Sequence, residues 1–397
     1  MADLISFEEA QRLVLEHVSP LPAAPVALAE AYGRVAAEDV RSAVDLPPFD
    51  SSAMDGFAVR AEDTPGVLPV VLHVAAGSPA SRPLGPGEAM GIGTGGALPV
   101  GADAVIPIEY VVQSDNSVEI PEPVVVGANV RPVGGDLRRD DVVVSAGTVL
   151  GAAQVGALAA SGVAQVSCTR RPRAAVLATG SELRAPGDSL GPGQIYEANG
   201  PILDAQQRSA RAEVERLPPV ADDEDAHREA IARGLEADVL LTTGGVSVGV
   251  HDLVRQVEAV LGVREVFWGV AVKPGKPISF GVREGCLVFG LPGNPVSALV
   301  GFELFVRPAV RALQGAAEPG PDWERGRLAE SVRANPARDE LIRARARVDD
   351  EGITLEPLAG RESHMIARAA GANALVLVPR GEGELAAASS VRYLRLS

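Results

Sequence analysis

The chain has 397 residues and a formal net charge of -16, with 46% hydrophobic and 22% charged residues. That length predicts two to four domains, and that apolar content excludes a largely disordered chain. The acidic balance, with no basic stripe interleaved with aromatics, argues against nucleic-acid binding.

No stretch approaches the roughly 20 apolar residues that cross a bilayer, so no membrane partner is expected. Cys168 and Cys286 stand far apart without a Cys-x-x-Cys pair, which supports neither a disulfide framework nor a thiolate zinc site and fits a soluble, cytoplasmic chain. Ser6 and Glu9 have capping-box spacing, and Phe7, Ala10, Leu13, Val14 and Val18 share one helical face, so the chain opens with a helix that Pro20, Pro22 and Pro25 stop. From about Leu46 to Thr148, short Val-rich runs at 69–74, 104–108 and 142–145 alternate with Gly and Pro clusters, the pattern of a β-rich unit. A small-residue helix returns at 150–161, with Gly162 as its stop. Helical elements on both sides make the β unit an insertion.

From Arg173 to about Leu313, "RAAVLATGSEL", "DVLLTTGGVSVG" and "CLVFGLPGNP" each read as a buried strand ending in a Gly turn, and the last two lead into helices. They predict a doubly wound α/β domain with ligands beyond the carboxyl ends of its strands. Asn294 is the candidate N-cap and Pro295 the first residue of the last helix. Farther on, Ile342, Ala344, Ala346 and Val348 alternate with three arginines as a half-buried strand of a C-terminal β domain, expected to be a small barrel. The expected division is a helical linking domain at 1–45 and 138–172, an inserted β-rich domain at 46–137, an α/β domain at 173–316 and a β domain at 317–397.

"GIGTGG" at 91–96 fits G-x-G-x-x-G, but Pro99 and Gly101 follow at once, so no helix can open there to hold a pyrophosphate. No G-x-x-x-x-G-K-[ST] or His-x-x-x-His occurs, which disfavours Walker-type nucleotide hydrolysis and zinc. Carboxylates on turns remain. Asp50 and Asp55 lie in "PPFDSSAMDGFAVR", a loop too apolar for plain linker, although turn formation alone would also use them. Asp136, Glu182, Asp238 and Asp252 sit at other turns or strand ends, and an oxygen-only ligand set suits Mg²⁺ shared with substrate phosphates. Lys273 and Lys276 in "KPGKP", followed by the turn at 291–294, form two stiff turns that both suit an anion. Distant acids fade over about 8 Å at physiological salt, while a lysine about 4 Å from an anion contributes on the order of 4 kcal/mol at an intermediate dielectric. Local lysines can therefore win.

"PPFDSSAMDGFAVR", "PGQIYEANG", "TTGGVSVG", "KPGKP" and "GLPGNPVSALVGFELFVRP" together resemble the molybdopterin molybdenumtransferase family, the bacterial relatives of the second domain of gephyrin, over nearly the whole chain. The resemblance implies insertion of molybdate into adenylylated molybdopterin with release of AMP in a Mg²⁺-dependent step. It implies an elongated homodimer, the inserted β domain of one subunit facing the α/β domain of the other. By motif position it assigns activity to Asp55, Thr94, Asp136, Glu182, Asp238 and Asp252, with Asp55, Glu182 and Asp252 as the Mg²⁺ ligands. Gly244, Gly245, Ser247, Asn294, Lys273 and Lys276 would bind the pterin and its phosphates, and molybdate would lie near Lys276, Pro277, Ser297, Arg343 and Ser363. The chain departs from the family pattern at Ser181 and Val250, where acids are usual, and around Thr94, where "GIGTGGALP" replaces a basic residue, Ile and "TGAP". The alternatives are the adenylyltransferase that makes the substrate, a non-catalytic scaffold, and a paralogue that handles tungstate.

Overall fold

The computed structural model describes residues 4–221, 223–244 and 253–396. Helix α1 spans Phe7–Glu16, and Ser6 caps it by accepting the Glu9 N–H at 3.1 Å. The box is only half used, because the Glu9 carboxylate turns to Arg12 one turn on. Phe7, Ala10 and Val14 bury themselves beside Val176 and Leu241. By packing, α1 belongs with the α/β sheet.

Segments on either side of residues 46–137 pair with each other: Ala23–Ala27 runs antiparallel to Gln165–Thr169, and Val40–Arg41 to Val142–Val144. Apart from α1, the only helix of eight residues or more among the described residues there is α2, Ala152–Ala160, which Gly162 ends at φ +76°. The linking unit expected to be helical is thus built largely of ladders. Pro22 and Pro25 bar a helix in the first ladder, and an edge strand with one neighbour tolerates the missing N–H.

The inserted segment forms a six-stranded sheet in the order Ala104–Pro107, Gly56–Val59, Ala89–Ile92, Gly66–Val74, Ser117–Ile120, Val112–Ser114. Phe57 and Val59 join one apolar cluster and Ala58 a second, so successive side chains bury opposite faces. After Ala89–Ile92 the chain turns at 93–96, and the next regular element is a strand, as the prolines required.

The α/β unit carries a six-stranded sheet in the order Glu213–Arg216, Arg173–Ala178, Val239–Thr243, Cys286–Leu291, Ser279–Arg283, Arg264–Trp268. The first four strands are parallel, Ser279–Arg283 runs against them, and the edge strand Arg264–Trp268, antiparallel to it, runs with the first four. Ala174 and Val176 face α1, α3 (Asn199–Ser209) and the helices after residue 294, while Ala175 and Leu177 face α4 (Glu224–Gly234) and α5 (Leu253–Val260). Both faces are covered, which explains the unbroken apolar runs of these strands. Helix α6, Pro295–Gly301, continues through five π-helical residues, Phe302–Val306, into α7, Arg307–Leu313. Pro308 cannot donate to the Leu304 carbonyl, and the widened turn lets that oxygen accept Gln11 Nε2 at 2.8 Å instead.

In the C-terminal region, Asp339–Asp349, Gly352–Pro357, Trp323–Leu328, Ser390–Arg395 and Ala374–Val378 close into a five-stranded barrel. Val272–Lys273 of the α/β unit adds to it in parallel, with Lys273 opposite Glu340. The alternation expected of "IRARARV" breaks at both ends. Arg343 is 4% exposed because the 360–365 loop covers it, while Val348 is 81% exposed beside the hairpin. Among the described residues no helix is long and apolar enough to cross a membrane.

Candidate active site

Two described turns and Gly244 follow the carboxyl ends of the strands 173–178, 286–291 and 239–243, and one side chain ties the end of the last of these strands to the turn at 292–294. Asn199, the first residue of α3, donates Nδ2 to Thr243 Oγ1 at 2.7 Å and to the Gly293 carbonyl at 2.8 Å. Thr243 Oγ1 in turn donates to the Pro292 carbonyl at 3.1 Å. Thr179 N donates to the Thr243 carbonyl at 2.9 Å, bringing in the first turn. Gly244, at φ +93°, leaves no room for a side chain, since a Cβ would stand 2.4 Å from the Thr179 carbonyl oxygen. Glu182 is exposed on the first turn. Gly245, Ser247 and Asp252 lie outside the described residues.

Beside these turns, the Lys–Pro turn is anchored by the Lys276 carbonyl, which accepts the N–H groups of Val270 and Ile278 at 3.0 Å each. Gly275, at φ +119°, brings the turn against α6, where a Cβ would lie 3.9 Å from the Ser297 carbonyl oxygen. Lys276 is exposed, with no ion-pair partner among the described residues, and Pro277 beside it is half-buried. Lys273 is held by Glu340 at 3.2 Å. Ser297 is buried in the first turn of α6.

Asn294 caps α6 by position only. Its Nδ2 donates to Ser363 Oγ at 2.9 Å, and the Val296 N–H donates to the Ser363 carbonyl at 3.1 Å. Arg343 donates to the carbonyls of Met365 at 2.6 Å and of Gly360 and Glu362. Burial pulls its guanidinium below its usual value, against the opposing charge of Glu362. Arg343 therefore works by fixing the loop that presents Ser363 to Asn294.

In the inserted sheet, Asp55 Oδ1 accepts the Thr94 N–H at 2.6 Å and the Thr94 hydroxyl at 3.0 Å. These two bonds, the backbone one first, hold its carboxyl below the usual carboxylate range. Asp50 accepts the Val133 N–H at 2.7 Å, and Asp136 is exposed on the strap whose N–H reaches the Leu46 carbonyl at 2.9 Å. The carboxylate loop, the Thr94 turn and the Asp136 strap thus form one patch.

Asp238 is elsewhere. It precedes the strand Val239–Thr243, at the end opposite these turns and roughly 20 Å from Gly244 along an extended chain. Its carboxylate takes both arms of Arg170, at 2.6 and 2.7 Å, and the Arg173 N–H at 2.7 Å. Burial alone would raise its pKa, but the hydrogen bonds and charges of Arg170 and Arg173 more than reverse that. The catalytic expectation for Asp238 gives way to a structural one: it ties the incoming 170–173 segment to the sheet.

The chain matches the MoeA N-terminal region (domain I and II) over residues 5–162, the probable molybdopterin binding domain over 175–312 and the MoeA C-terminal region (domain IV) over 325–396. It is 34% identical over 386 residues to the molybdopterin molybdenumtransferase of Staphylococcus aureus strain Mu50, with 95% of this chain and 92% of the relative covered. The Staphylococcus epidermidis enzyme of the same name is 34% identical over 387 residues, with the same coverage. The chain belongs to the molybdopterin molybdenumtransferase family. Two solved structures of Pyrococcus horikoshii molybdopterin biosynthesis MoeA protein superpose with TM-scores of 0.81 and 0.85, at 32% and 29% identity, each covering 99% of this chain and at least 99% of the other.

Within this family frame, these turns and both lysines fall in the match to the molybdopterin binding domain, and Arg343 and Ser363 in the C-terminal one. Among the described residues no group of three or more His, Cys, Asp or Glu could hold a metal ion. Of the magnesium ligands expected, Asp55, Glu182 and Asp252, the last lies outside the described residues, and no step is derived through that ion. Two residues were missed. Asn199 stood inside the quoted "EANG", where an Asn before Gly at a helix start is its only signal, and Glu340 carried none. A compositional signal was also available: Lys273 and Lys276 are the only lysines in the chain, every other guanidinium or ammonium side chain being arginine.

Proposed function

We propose that this chain inserts molybdate into adenylylated molybdopterin, releasing AMP and yielding molybdenum cofactor, and that it acts as a cytoplasmic homodimer. The observation that carries the reading is Lys276: an exposed ammonium without a carboxylate partner among the described residues, on a turn packed against α6 and beside the loop that presents Ser363. Oxyanion substrates need such a point charge within reach of hydroxyl and N–H donors. The segments joined by Asn199 lie at the carboxyl ends of parallel strands, where a pterin phosphate would bind. Molybdate is held by Lys276 with Ser363, and the pterin lies along the Gly244 and Asn294 turns. The reaction is then one of positioning: the oxyanion is kept next to the dithiolene so that its two sulfurs replace two molybdate oxygens, one leaving as water with the thiol protons and the other passing to the adenylyl phosphorus as the anhydride breaks and AMP departs.

Asp55, with Thr94 holding it ionised, and Asp136 act from the inserted domain, and Glu182 from the α/β rim. The expected division at 46–137, 173–316 and 317–397 is retained, with the inserted unit of one subunit reaching the rim of the other.

Purified protein incubated with adenylylated molybdopterin, with and without molybdate, is to be followed by mass spectrometry for AMP and molybdenum cofactor. AMP release that depends on molybdate is expected. Lys276→Ala should retain the fold and lose that release by roughly 30- to 100-fold, the scale of one partly screened charge. Wild-type release from this variant, or adenylylation of molybdopterin by ATP without molybdate, would overturn the reading.

A further inference from the structure

Lys273 and Lys276 are three residues apart in one turn, yet their surroundings differ. Lys276 is exposed and has no ion-pair partner among the described residues, whereas Lys273 Nζ lies 3.2 Å from Glu340 Oε1. The Glu340 side chain is 7% exposed and that of Lys273 41% exposed, so the carboxylate is the buried member of the pair. Lys273 is the sole ion-pair partner of Glu340 among the described residues. The pair is fixed by backbone register: Val272–Lys273 adds in parallel to Asp339–Asp349, which places Lys273 opposite Glu340. A buried carboxylate with one cation in reach holds that cation firmly, because separating them would leave a charge desolvated and alone.

We propose that Glu340, reaching from the barrel, sets the charge of the Lys273–Lys276 turn by neutralising Lys273, and so tunes how tightly the turn holds its oxyanion. With Glu340 in place the turn offers a divalent oxyanion one uncompensated positive charge; without it, two. A substrate that must pass onward to a pterin is better served by the weaker grip, since an interaction equally strong before and during reaction does not accelerate it. The inference rests on the oxyanion reading of this turn.

The test is calorimetric titration of molybdate into wild type, Glu340→Gln and Glu340→Gln combined with Lys273→Met, at low and moderate salt. Glu340→Gln is expected to bind molybdate about tenfold tighter and to lose more affinity on adding salt, as one extra partly screened charge requires. Adding Lys273→Met should remove both changes. A purely structural ion pair would lower the melting temperature and leave molybdate affinity and its salt dependence where they were. Affinity of Glu340→Gln within about twofold of wild type overturns the inference while leaving the oxyanion site standing. Failure of wild type to bind molybdate overturns both. If Glu340→Gln does not fold, Glu340→Met, uncharged and of similar length, takes its place with the same expected gain.

Discussion

Replacing Asn199 with alanine removes a side chain that holds the end of the strand Val239–Thr243 against the turn at 292–294. The residue is 9% exposed, and its Nδ2 makes bonds of 2.7 and 2.8 Å to Thr243 Oγ1 and the Gly293 carbonyl. Each such bond contributes about 0.5–1.5 kcal/mol net. The Gly293 carbonyl can be rehydrated because Gly293 is exposed, and Thr243 Oγ1 still donates to Pro292, so neither partner is left stranded in an apolar interior. The expected loss is therefore about 2 kcal/mol, without the larger penalty for an orphaned buried group. Urea denaturation followed by tryptophan fluorescence reads this, since Trp268 lies on the edge strand of the same sheet. Asn199→Asp keeps the size but cannot donate, and it sets a carboxylate against the Gly293 carbonyl oxygen; it should be less stable than the alanine variant. In both variants molybdate-dependent AMP release should fall further than the unfolded fraction explains. A loss below about 0.5 kcal/mol with normal AMP release would refute the idea that this amide sets the turn spacing.

Thr94→Val removes the hydroxyl bond to Asp55 and keeps the backbone one, so the Asp55 carboxyl should titrate at a higher pH than in wild type, still below an unconstrained aspartate. Carbon NMR of the carboxyl group measures it, and an unmoved titration would refute the assignment. Asp238 has its carboxyl depressed in the folded chain, so its contribution is present above the unfolded pKa and disappears as pH falls through the folded value. Asp238→Asn should cost about 2 kcal/mol near neutral pH, less than a fully buried pair because Arg170 is partly exposed. The gap between variant and wild type should close in acid, as urea midpoints across that range would show.

Much of this was legible because local chemistry and global fold agree. Pro and Gly mark the turns, apolar runs mark the doubly covered strands, and Asn294–Pro295 fixes the start of α6. Where the reading went astray, a distant partner decided the outcome. Glu9 has the spacing of a capping box, yet Arg12 takes its carboxylate. Asp238 opens "DVLLTTGGVSVG", so the strand reading already set it at the end away from the Gly turn, and what the fold adds is its partner, Arg170. Arg343 reads as outward-facing by period two, and a loop some twenty residues on covers it. Glu340 is invisible without the register that sets it opposite Lys273. Asp55 and Thr94 were both named from motif position; that one clamps the other follows from the return of the chain after Ala89–Ile92.

A practical corollary attaches to the turn that carries both lysines. Apart from the amino terminus, the chain has no other primary amine, so reagents usually treated as indiscriminate become addressed to one spot. Coupling through succinimidyl esters, whether to a dye, a bead or a sensor chip, would, wherever it misses the amino terminus, tether the molecule by this turn and blind the measurement it was meant to enable.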